Sequence, residues 1–367
     1  MQRTKRIAVL AYQGCFGAEV FGLADVLRIA NHVAAGLRHA GGAPFHVSLI
    51  GASRGAIEIA GGTAIVVERL RGPIDLLVVP GFDFGSPAEI EARLRGLRPE
   101  VALIRRAFAR GASVASVCVG AFLLGEAGLL SGRRVTTGWA FAPLLARLHP
   151  TAHVEPNALL IEDGNVTTCA AFSAVADLAM TLVRQHAEPR VAVLTAKLTL
   201  IAATRDSQAP YVDSALLPTV GAPFSDGVEA WLLHRLRQPY DLPRLAKAFH
   251  VSTRTLLRRF RAGASQSPLE FLQTARIARA KALLESTTLA IGDVMAHVGY
   301  GDLSTFRRLF VARVGTSPAR YRDTFHRPKG APEPSSIAAG AARRVARPGG
   351  ATLPQSLGHQ SIDPSVA

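Results

Sequence analysis

Cysteine is scarce in this chain: Cys15, Cys118 and Cys169 are the only three among 367 residues. An odd number of widely spaced cysteines argues against a disulfide scaffold and against a structural zinc site. We therefore expect a protein of the reducing cytoplasm. The sequence offers no pattern for another metal site or for a bound cofactor.

Long apolar runs are also missing. No segment approaches the roughly 18 uninterrupted apolar residues that a membrane-spanning helix requires. Residues 1–6 lead directly into the strand-like residues 7–11, without the apolar core and cleavage site of a signal peptide. We therefore expect no contact with a membrane.

Acidic residues are few in one part of the chain only. Residues 235–330 contain 18 Lys and Arg against 6 Asp and Glu, whereas residues 1–234 contain 21 against 19. A basic region joined to a nearly neutral one indicates that only the basic region meets a polyanion. A merely well-solvated basic surface is the alternative, and charge alone does not exclude it.

The first 190 residues alternate strand-like and helix-like segments. Apolar runs predict strands at 7–12, 45–50, 75–80, 112–117 and 166–170. Helical spacing predicts helices at 17–38, 98–110, 119–130 and 172–187. This order predicts an α/β domain with a mostly parallel sheet and helices on both faces. Such sheets bind ligands beyond the carboxyl ends of their strands.

Three further segments follow this domain. Residues 191–224 are expected to form a helix and then a linker rich in Pro and polar residues. Residues 225–326 form the predicted DNA-binding domain. Residues 327–367 are rich in Pro, Ala, Gly and Ser, lack periodicity, and are predicted to be a disordered tail.

The basic region contains two helix-turn-helix patterns, at 241–260 and 291–310. In each pattern, a second helix with exposed basic side chains is suited to the DNA major groove. In the first unit, Ser252 caps this helix and Thr253, Arg254 and Arg258 face the DNA. In the second unit, Asp302 is the cap and Leu303, Ser304, Arg307 and Arg308 face the groove. Residues expected to pack inward are Val251, Leu256, Leu257, Phe260, Phe306, Leu309 and Phe310.

A long amphipathic helix at 268–284 separates the two units, and we expect it to set recognition helices about 34 Å apart, one turn of DNA. Arginine binds both guanine edges and phosphates. Whether each Arg reads bases or only holds the backbone stays open.

This basic region resembles the AraC/XylS family of transcription factors over about 100 residues. The matching positions are Leu245, Ala246, 251–256, Arg259, Phe260, Ser267, Pro268, Arg276, Ile277, Ala280, Lys281, Leu283, Leu284, 298–300, Phe306, Arg307, Arg308, Phe310, Gly315, Ser317, Pro318, Tyr321 and Arg322. The resemblance implies an all-α domain that inserts two recognition helices into adjacent segments of the major groove of promoter DNA.

Residues 115–122 combine a strand, a tight turn and the start of a helix. Ser116 and Gly120 flank Cys118 at the spacing of a nucleophile elbow. A thiol at a helix N-terminus is favoured as the thiolate. A buried structural cysteine is the competing interpretation, and it is our reading of Cys15 and Cys169.

The first 190 residues resemble the PfpI/ThiJ-type, class I glutamine amidotransferase-like domain. The matching segments are 19–27, 75–81, 116–122 and 125–137. The resemblance implies a flavodoxin-like fold. Joined to an AraC unit, it implies a GlxA-type regulator. In that family the elbow cysteine, an early carboxylate and a histidine after a Thr-Thr pair share one pocket. Cys118 and Glu19 match the first two, but the third position is Gly138.

The missing histidine favours binding over turnover, because a cysteine hydrolase needs a base. We expect a ligand pocket of Glu19, Gly81, Phe82, Asp83, Cys118, Val119 and Trp139, with Cys118 and Glu19 vestigial and no residue catalytic. A carboxylate beside aromatic rings suits an amine-bearing metabolite, and the resemblance also implies amino-acid or quaternary-amine effectors.

The hypothesis is therefore a ligand-responsive transcriptional regulator, expected to act as a homodimer and to meet RNA polymerase. The alternative is a cysteine-dependent amidase or glyoxalase-like enzyme with a DNA-binding tail. Redox sensing by Cys118 is a third possibility. The effector, the operator and the direction of regulation are not predictable from the sequence.

Overall fold

The computed structural model describes residues 3–37, 42–201, 205, 207–213, 223–264 and 266–326. The tail predicted as disordered, 327–367, lies outside the described residues, as does the linker segment 214–222. No helix in the described ranges is long and apolar enough to cross a membrane.

The N-terminal domain is built on a sheet. Its strands are β1 (Lys5–Leu10), β2 (Phe45–Gly51), β3 (Gly55–Glu58), β4 (Ala64–Arg69), β5 (Leu76–Val79), β6 (Ser113–Val117), β9 (Leu160–Asp163) and β10 (Val166–Cys169); β7 (Arg134–Val135) and β8 (His153–Val154) form a separate parallel pair. Within the described residues the sheet has eight strands, in the order β3-β4-β2-β1-β5-β6-β10-β9.

The centre of the sheet is parallel and its two outermost strands are antiparallel. β1 pairs in parallel with both β2 and β5, and β6 pairs in parallel with β5 and β10. All four residues of β5 are buried, as expected for a strand covered on both faces. β3 and β9 close the edges by antiparallel pairing with β4 and β10. The predicted mostly parallel, flavodoxin-like sheet is confirmed.

Helices cover the sheet in two groups. The N-terminal helices are α1 (Gly17–Gly36), α2 (Pro87–Gly96), α3 (Arg98–Ala109), α4 (Gly120–Glu126), α5 (Ala142–Leu148), α6 (Ala174–His186) and α7 (Pro189–Thr199). α1 packs with α6 and α7, whereas α3 packs with α4. The β1-α1-β2 and β5-α3-β6 connections run in opposite directions along the sheet, so right-handed crossovers place the two groups on opposite faces.

The C-terminal domain is helical. Its helices are α8 (Pro223–His234), α9 (Leu242–Ala248), α10 (Thr253–Ala264), α11 (Pro268–Ser286), α12 (Ile291–His297), α13 (Leu303–Val314) and α14 (Pro318–Phe325). Two apolar cores form here, one around Leu256 and Phe260 and the other around Phe306 and Phe310. α11 contributes Leu272 to the first core and Ile277 to the second, so one helix joins both helix-turn-helix units.

The segment expected to be a linker packs against the N-terminal domain. Arg205 forms an ion pair with Asp177 on α6 and donates a hydrogen bond to the Ser173 hydroxyl. Ser207 forms a β-bridge with Ala158, and residues Ala209–Tyr211 form a 3₁₀ turn. A linker predicted from composition alone therefore contains anchored residues at 205 and 207–212.

Candidate effector site and nucleic-acid interface

Cys118 lies at the carboxyl end of β6, where the chain turns sharply into α4. Its φ of 53° is left-handed, which is strained for a residue with a side chain and is the backbone of a nucleophile elbow. Its N–H donates to the carbonyl of Ala170 at 2.8 Å. The connections that leave the adjacent parallel strands β1 and β5 run in opposite directions along the sheet. The carboxyl ends of these two strands, next to β6, therefore form the topological switch point where such folds bind ligands.

The turn is possible because two glycines let backbones approach closely. A Cβ on Gly120 would lie 2.5 Å from the carbonyl oxygen of Val79. A Cβ on Gly81 would lie 3.2 Å from Cβ of Cys118 and 3.3 Å from Oε2 of Glu19. Gly81 is therefore packed against both Glu19 and Cys118, and this leaves little room for a side chain at position 81.

Glu19 is fully buried in the first turn of α1. Its Oε2 accepts a hydrogen bond of 2.6 Å from the backbone N–H of Gly81. Its Oε1 is buried without a hydrogen-bond partner among the described residues. Burial raises the pKa of this carboxyl group to about 7, against the smaller lowering effect of the Gly81 hydrogen bond. Near neutral pH a large share of Glu19 is therefore uncharged.

The surroundings of the Cys118 thiol contradict the predicted thiolate. Burial, and then the nearby Glu19, raise the pKa of Cys118 to about 12. Hydrogen bonds from the backbone N–H groups of Val119 and Phe172 lower the pKa but do not compensate. Removal from water thus outweighs the position before α4. Cys15 and Cys169 are buried free thiols, as predicted.

The remaining predicted pocket residues lie at different depths. Phe82 was expected to line the pocket, but its side chain is fully buried, because residue 82 forms a β-bridge with Cys15 and its ring packs against Tyr12. Asp83 is exposed. Trp139 is half-buried at the start of a 3₁₀ turn. Phe82 therefore packs inside the domain behind the site, and its side chain would have to move out of the core to touch a ligand.

Two aromatic pairs that the sequence analysis missed lie around the elbow. Phe16 and Phe172 have ring centroids 5.7 Å apart, and Phe84 and Phe141 have centroids 5.0 Å apart, both edge to face. The Phe172 backbone donates to the thiol, and the Phe16 N–H donates to the Gly81 carbonyl at 2.9 Å. Phe172 is 48% exposed. We call these four residues the aromatic rim. Phe16 and Phe84 lie close in sequence to Glu19 and Asp83, and this proximity is the sequence feature that could have predicted them as site residues.

In the first helix-turn-helix unit, α10 carries the predicted basic face. Arg254 and Arg258 are exposed, as is Thr253. The Ser252 hydroxyl accepts from the Thr255 N–H at 3.2 Å, so it caps α10 as predicted. Leu257, expected to pack inward, is 37% exposed, because the inward stripe of this helix is completed by Leu256 and Phe260.

In the second unit, Arg307 and Arg308 are exposed on α13. Asp302 caps this helix by accepting from the Thr305 N–H at 2.6 Å, and Ser304 donates its hydroxyl to the same carboxylate. Leu303, expected to face the groove, packs partly against the second core. Its apolar side chain gains more from that contact than from exposure. Leu309 is half-buried.

The two units are held together by a buried arginine. Arg276 on α11 donates to the carbonyl oxygens of Leu236 at 2.9 Å and Gln238 at 2.6 Å. Its guanidinium lies 5.1 Å from the ring centroid of Tyr300, in the turn before α13. In that turn Gly299 has a φ of 83°, and a Cβ there would lie 2.8 Å from the backbone of Arg237. The arrangement presents two arginine-bearing helices on one fixed frame.

Comparison with known proteins agrees with the division of the chain into an N-terminal α/β domain and a C-terminal helical domain. Residues 5–185 match the DJ-1/PfpI family, and residues 245–324 match a helix-turn-helix domain family. The HTH-type transcriptional regulator CdhR of Pseudomonas aeruginosa is 28% identical over 81% of this chain and 85% of its own length. The chain belongs to the AraC-type regulators with an N-terminal DJ-1/PfpI domain. It is a DNA-binding transcriptional regulator.

Two further relatives match smaller parts of this AraC-type regulator. The HTH-type transcriptional regulator GlxA of Rhizobium meliloti is 27% identical over 60% of this chain and 68% of its own length. The isonitrile hydratase of Pseudomonas putida is 38% identical over 34% of this chain and 49% of its own length. The chain is thus similar to a regulator over 60% of its length and to an enzyme over 34% of its length.

His149 and His153 are the histidines nearest in sequence to Gly138, where the family has its catalytic histidine. The structure shows what each of them contacts. The ring of His149 packs on Gly125, where a Cβ would meet Nε2 at 2.2 Å. Gly125 lies five residues beyond Gly120, the first residue of α4, which is about 7.5 Å along the helix axis. Burial lowers the pKa of His149, so it is neutral, and His153 is exposed on β8. The hydrogen bonds that the structure shows for Cys118 involve backbone groups and the Thr137 hydroxyl, and neither histidine is among them.

Among the residues that the structure describes, no group of three or more His, Cys, Asp or Glu side chains is arranged to hold a metal ion. The groups that converge at the elbow are a neutral thiol, a carboxyl group that is about half protonated near pH 7, backbone amides and aromatic rings. This arrangement is suited to holding an organic ligand by contact.

Proposed function

We propose that the DJ-1/PfpI domain of this regulator binds a small amine-bearing or amino-acid-derived metabolite at the aromatic rim and does not turn it over. The observation that carries the proposal is the pair of edge-to-face phenylalanine contacts beside a thiol that burial keeps protonated. Aromatic faces attract organic cations, and quaternary ammonium groups most characteristically.

The carboxyl group of Glu19 plays a smaller part in this proposal than the sequence predicted. It accepts a hydrogen bond from the Gly81 N–H, is fully buried, and is uncharged in about half of the molecules near pH 7. A ligand cation would therefore be recognised by ring faces rather than by an ion pair. The Val119 amide already donates to the thiol, so a ligand carboxylate would have to compete for it.

A thermal-shift titration of the full chain tests ligand class. Choline is compared with its uncharged isostere 3,3-dimethylbutanol, because a ligand that binds only the native protein raises its apparent stability. We expect a shift with choline, none with the isostere, and loss of the shift in Phe172→Leu. Phe21→Leu, at a 37% exposed phenylalanine on α1 outside the rim, is the control. Equal shifts with both compounds would contradict recognition of charge.

For DNA recognition we propose that Arg254, Arg258, Arg307 and Arg308 contact the duplex. Thr253, the capping residue Ser252, and Ser304, which donates to the Asp302 cap, lie near the DNA backbone. The exposed positions of the four arginines on α10 and α13 support this. Leu303 keeps only a secondary place in the proposed interface. We also propose a cytoplasmic homodimer that meets RNA polymerase at promoters, which sedimentation and a reconstituted transcription assay test.

Duplexes selected from random DNA by the full chain test the DNA-binding residues. Arg254→Ala or Arg307→Ala is expected to cost about 1–3 kcal/mol of binding free energy if the side chain reads a base. Arg259→Ala is the matched control, because its guanidinium lies 4.6 Å from the ring centroid of Phe224. If the ranking of duplex variants is unchanged, the mutated arginine binds phosphate instead.

A second candidate function is hydration or hydrolysis at Cys118. The elbow φ of 53° and the similarity to an isonitrile hydratase favour it. The raised pKa of Cys118 and the absence of a side chain at Gly138 oppose it. Turnover of small isonitriles, amides or aldehydes that disappears in Cys118→Ala would establish this function and displace the binding-only proposal.

A further inference from the structure

Hydrogen bonds connect the elbow directly to the linker. The Thr137 hydroxyl donates to the carbonyl oxygen of Cys118 at 2.7 Å. The Gln208 amide donates to the carbonyl oxygen of Thr137 at 2.8 Å and accepts from the Trp139 N–H at 3.0 Å. Gln208 is only 3% exposed, so each of these bonds is made away from water, where losing one is costly.

The same short segment also contacts the second helix-turn-helix unit. The ring of Tyr211 lies edge to face on Phe325 of α14, with centroids 5.4 Å apart. The Lys281 ammonium group on α11 donates to the carbonyl oxygen of Val212. A Cβ on Gly315, which ends α13, would lie 3.6 Å from Cβ of Ser207. The linker therefore lies between the elbow and the end of a recognition helix.

The two sets of contacts differ in strength. On the sensor side, Gln208 is held through its side chain, and its backbone N–H and the Ser207 hydroxyl both donate to the carbonyl oxygen of Asn157. On the DNA-binding side, the contacts include a charge-assisted hydrogen bond, a ring pair and a van der Waals approach, and Asp213 adds a charge attraction to Lys281. A displacement of the turn at Thr137–Trp139 should therefore also displace residues 207–212. Through their contacts, residues 207–212 should then shift α13 and α14.

We propose that Gln208 is a positioning residue that couples occupancy of the elbow site to the posture of the second recognition helix. A ligand at the aromatic rim that shifts the Thr137–Trp139 turn changes the hydrogen bonds that this turn makes with the Gln208 amide. The 207–212 segment then changes its contacts with α11, α13 and α14. This inference rests on the proposed function, and it adds the route by which binding reaches the DNA.

Coupling between two sites is reciprocal, so DNA must also affect the elbow, and no effector is needed to test this. The full chain is treated with iodoacetamide with and without a duplex selected from random DNA, and alkylation of Cys118 is followed by peptide mass spectrometry. Cys118 is only 7% exposed, so its alkylation rate follows the population of molecules in which the elbow is open. We expect the duplex to change that population, and with it the rate, by about fivefold or more, the lower range of allosteric coupling factors.

Gln208→Ala should bring the ratio of the two rates close to one. Its affinity for the duplex should stay within about a factor of two to three, as expected for a change outside the interface. Gln185→Ala, at a surface glutamine bonded to Glu162, should keep the wild-type ratio. If Gln208→Ala fails to fold, Tyr211→Ala tests the other side of the connection and should reduce the ratio in the same way.

A wild-type ratio of one overturns the inference. So does a wild-type ratio that survives in both Gln208→Ala and Tyr211→Ala, because the coupling then takes another route. Neither result touches DNA binding or ligand binding. Failure of the full chain to select any duplex would instead remove the proposed function itself.

Discussion

Replacing Glu19 with Gln should make the N-terminal domain more stable at neutral and alkaline pH. The pKa of Glu19 is raised from 4.5 to about 7 because its carboxyl group is buried. Each pKa unit corresponds to about 1.4 kcal/mol, so ionising this group in the folded protein costs roughly 3 kcal/mol. Glutamine imitates the protonated form and keeps an oxygen that accepts from the Gly81 N–H.

The sign of the pH dependence follows from proton linkage. Between about pH 4.5 and pH 7 the folded protein keeps a proton on Glu19 that the unfolded chain has released. Raising the pH through this window therefore lowers the free energy of unfolding of the wild type. The amide side chain of the Glu19→Gln variant does not titrate, so the variant should match the wild type near pH 4.5 and exceed it by up to about 3 kcal/mol above pH 7.

The two tryptophans, Trp139 and Trp231, allow this to be measured in the full chain. In a Trp231→Phe background the remaining fluorescence reports the N-terminal domain, and urea unfolding is recorded from pH 4.5 to 8. Glu58→Gln, at an exposed carboxyl group on β3, is the control and should leave the pH dependence unchanged. A difference between Glu19→Gln and its parent that does not vary with pH would refute the reasoning.

Three further substitutions or measurements test the packing and the thiol. Gly120→Ala should destabilise the domain by roughly 1–3 kcal/mol or more, because its Cβ would overlap the Val79 carbonyl, whereas Gly96→Ala, with open space around it, should not. Arg276→Met should destabilise the DNA-binding domain in urea by about 2–4 kcal/mol, since it leaves two carbonyl groups without their charged donor; an effect no larger than that of exposed Arg320→Met would contradict this. Alkylation of Cys118 should accelerate about tenfold for each pH unit up to pH 10, because its pKa of about 12 keeps the thiolate a small fraction; a rate that levels off near pH 8 would show a much lower pKa.

The sequence predicted the features that depend on local pattern. The buried strand β5 and the helix caps at Ser252 and Asp302 follow from residue types within a few positions. The edge strand β3 and its neighbour β4 were missed, because both are partly exposed and carry only a weak alternation of buried side chains. A strand at the edge of a sheet has one neighbouring strand and fewer buried side chains. Its sequence therefore shows a weaker pattern of apolar residues.

The site was predicted less completely, because its residues meet through the strand order. Phe16 and Phe172 are far apart in the chain, and only the sheet brings their rings within 5.7 Å. The thiolate prediction for Cys118 used a local rule about helix N-termini. Desolvation is a property of everything packed around a group, and it reversed that rule.

The capped helix α11 has a consequence for the promoters this regulator can use. Ser267 and Glu270 form a capping box, and 19 residues of continuous helix carry parts of both apolar cores. Because such a rod does not stretch or twist easily, the paired binding sequences must keep a constant helical phase. Inserting one base pair between them moves the second sequence by about 3.4 Å and turns it by about 35° around the duplex axis. Five inserted pairs would place it on the opposite side of the double helix, where one protomer cannot reach both.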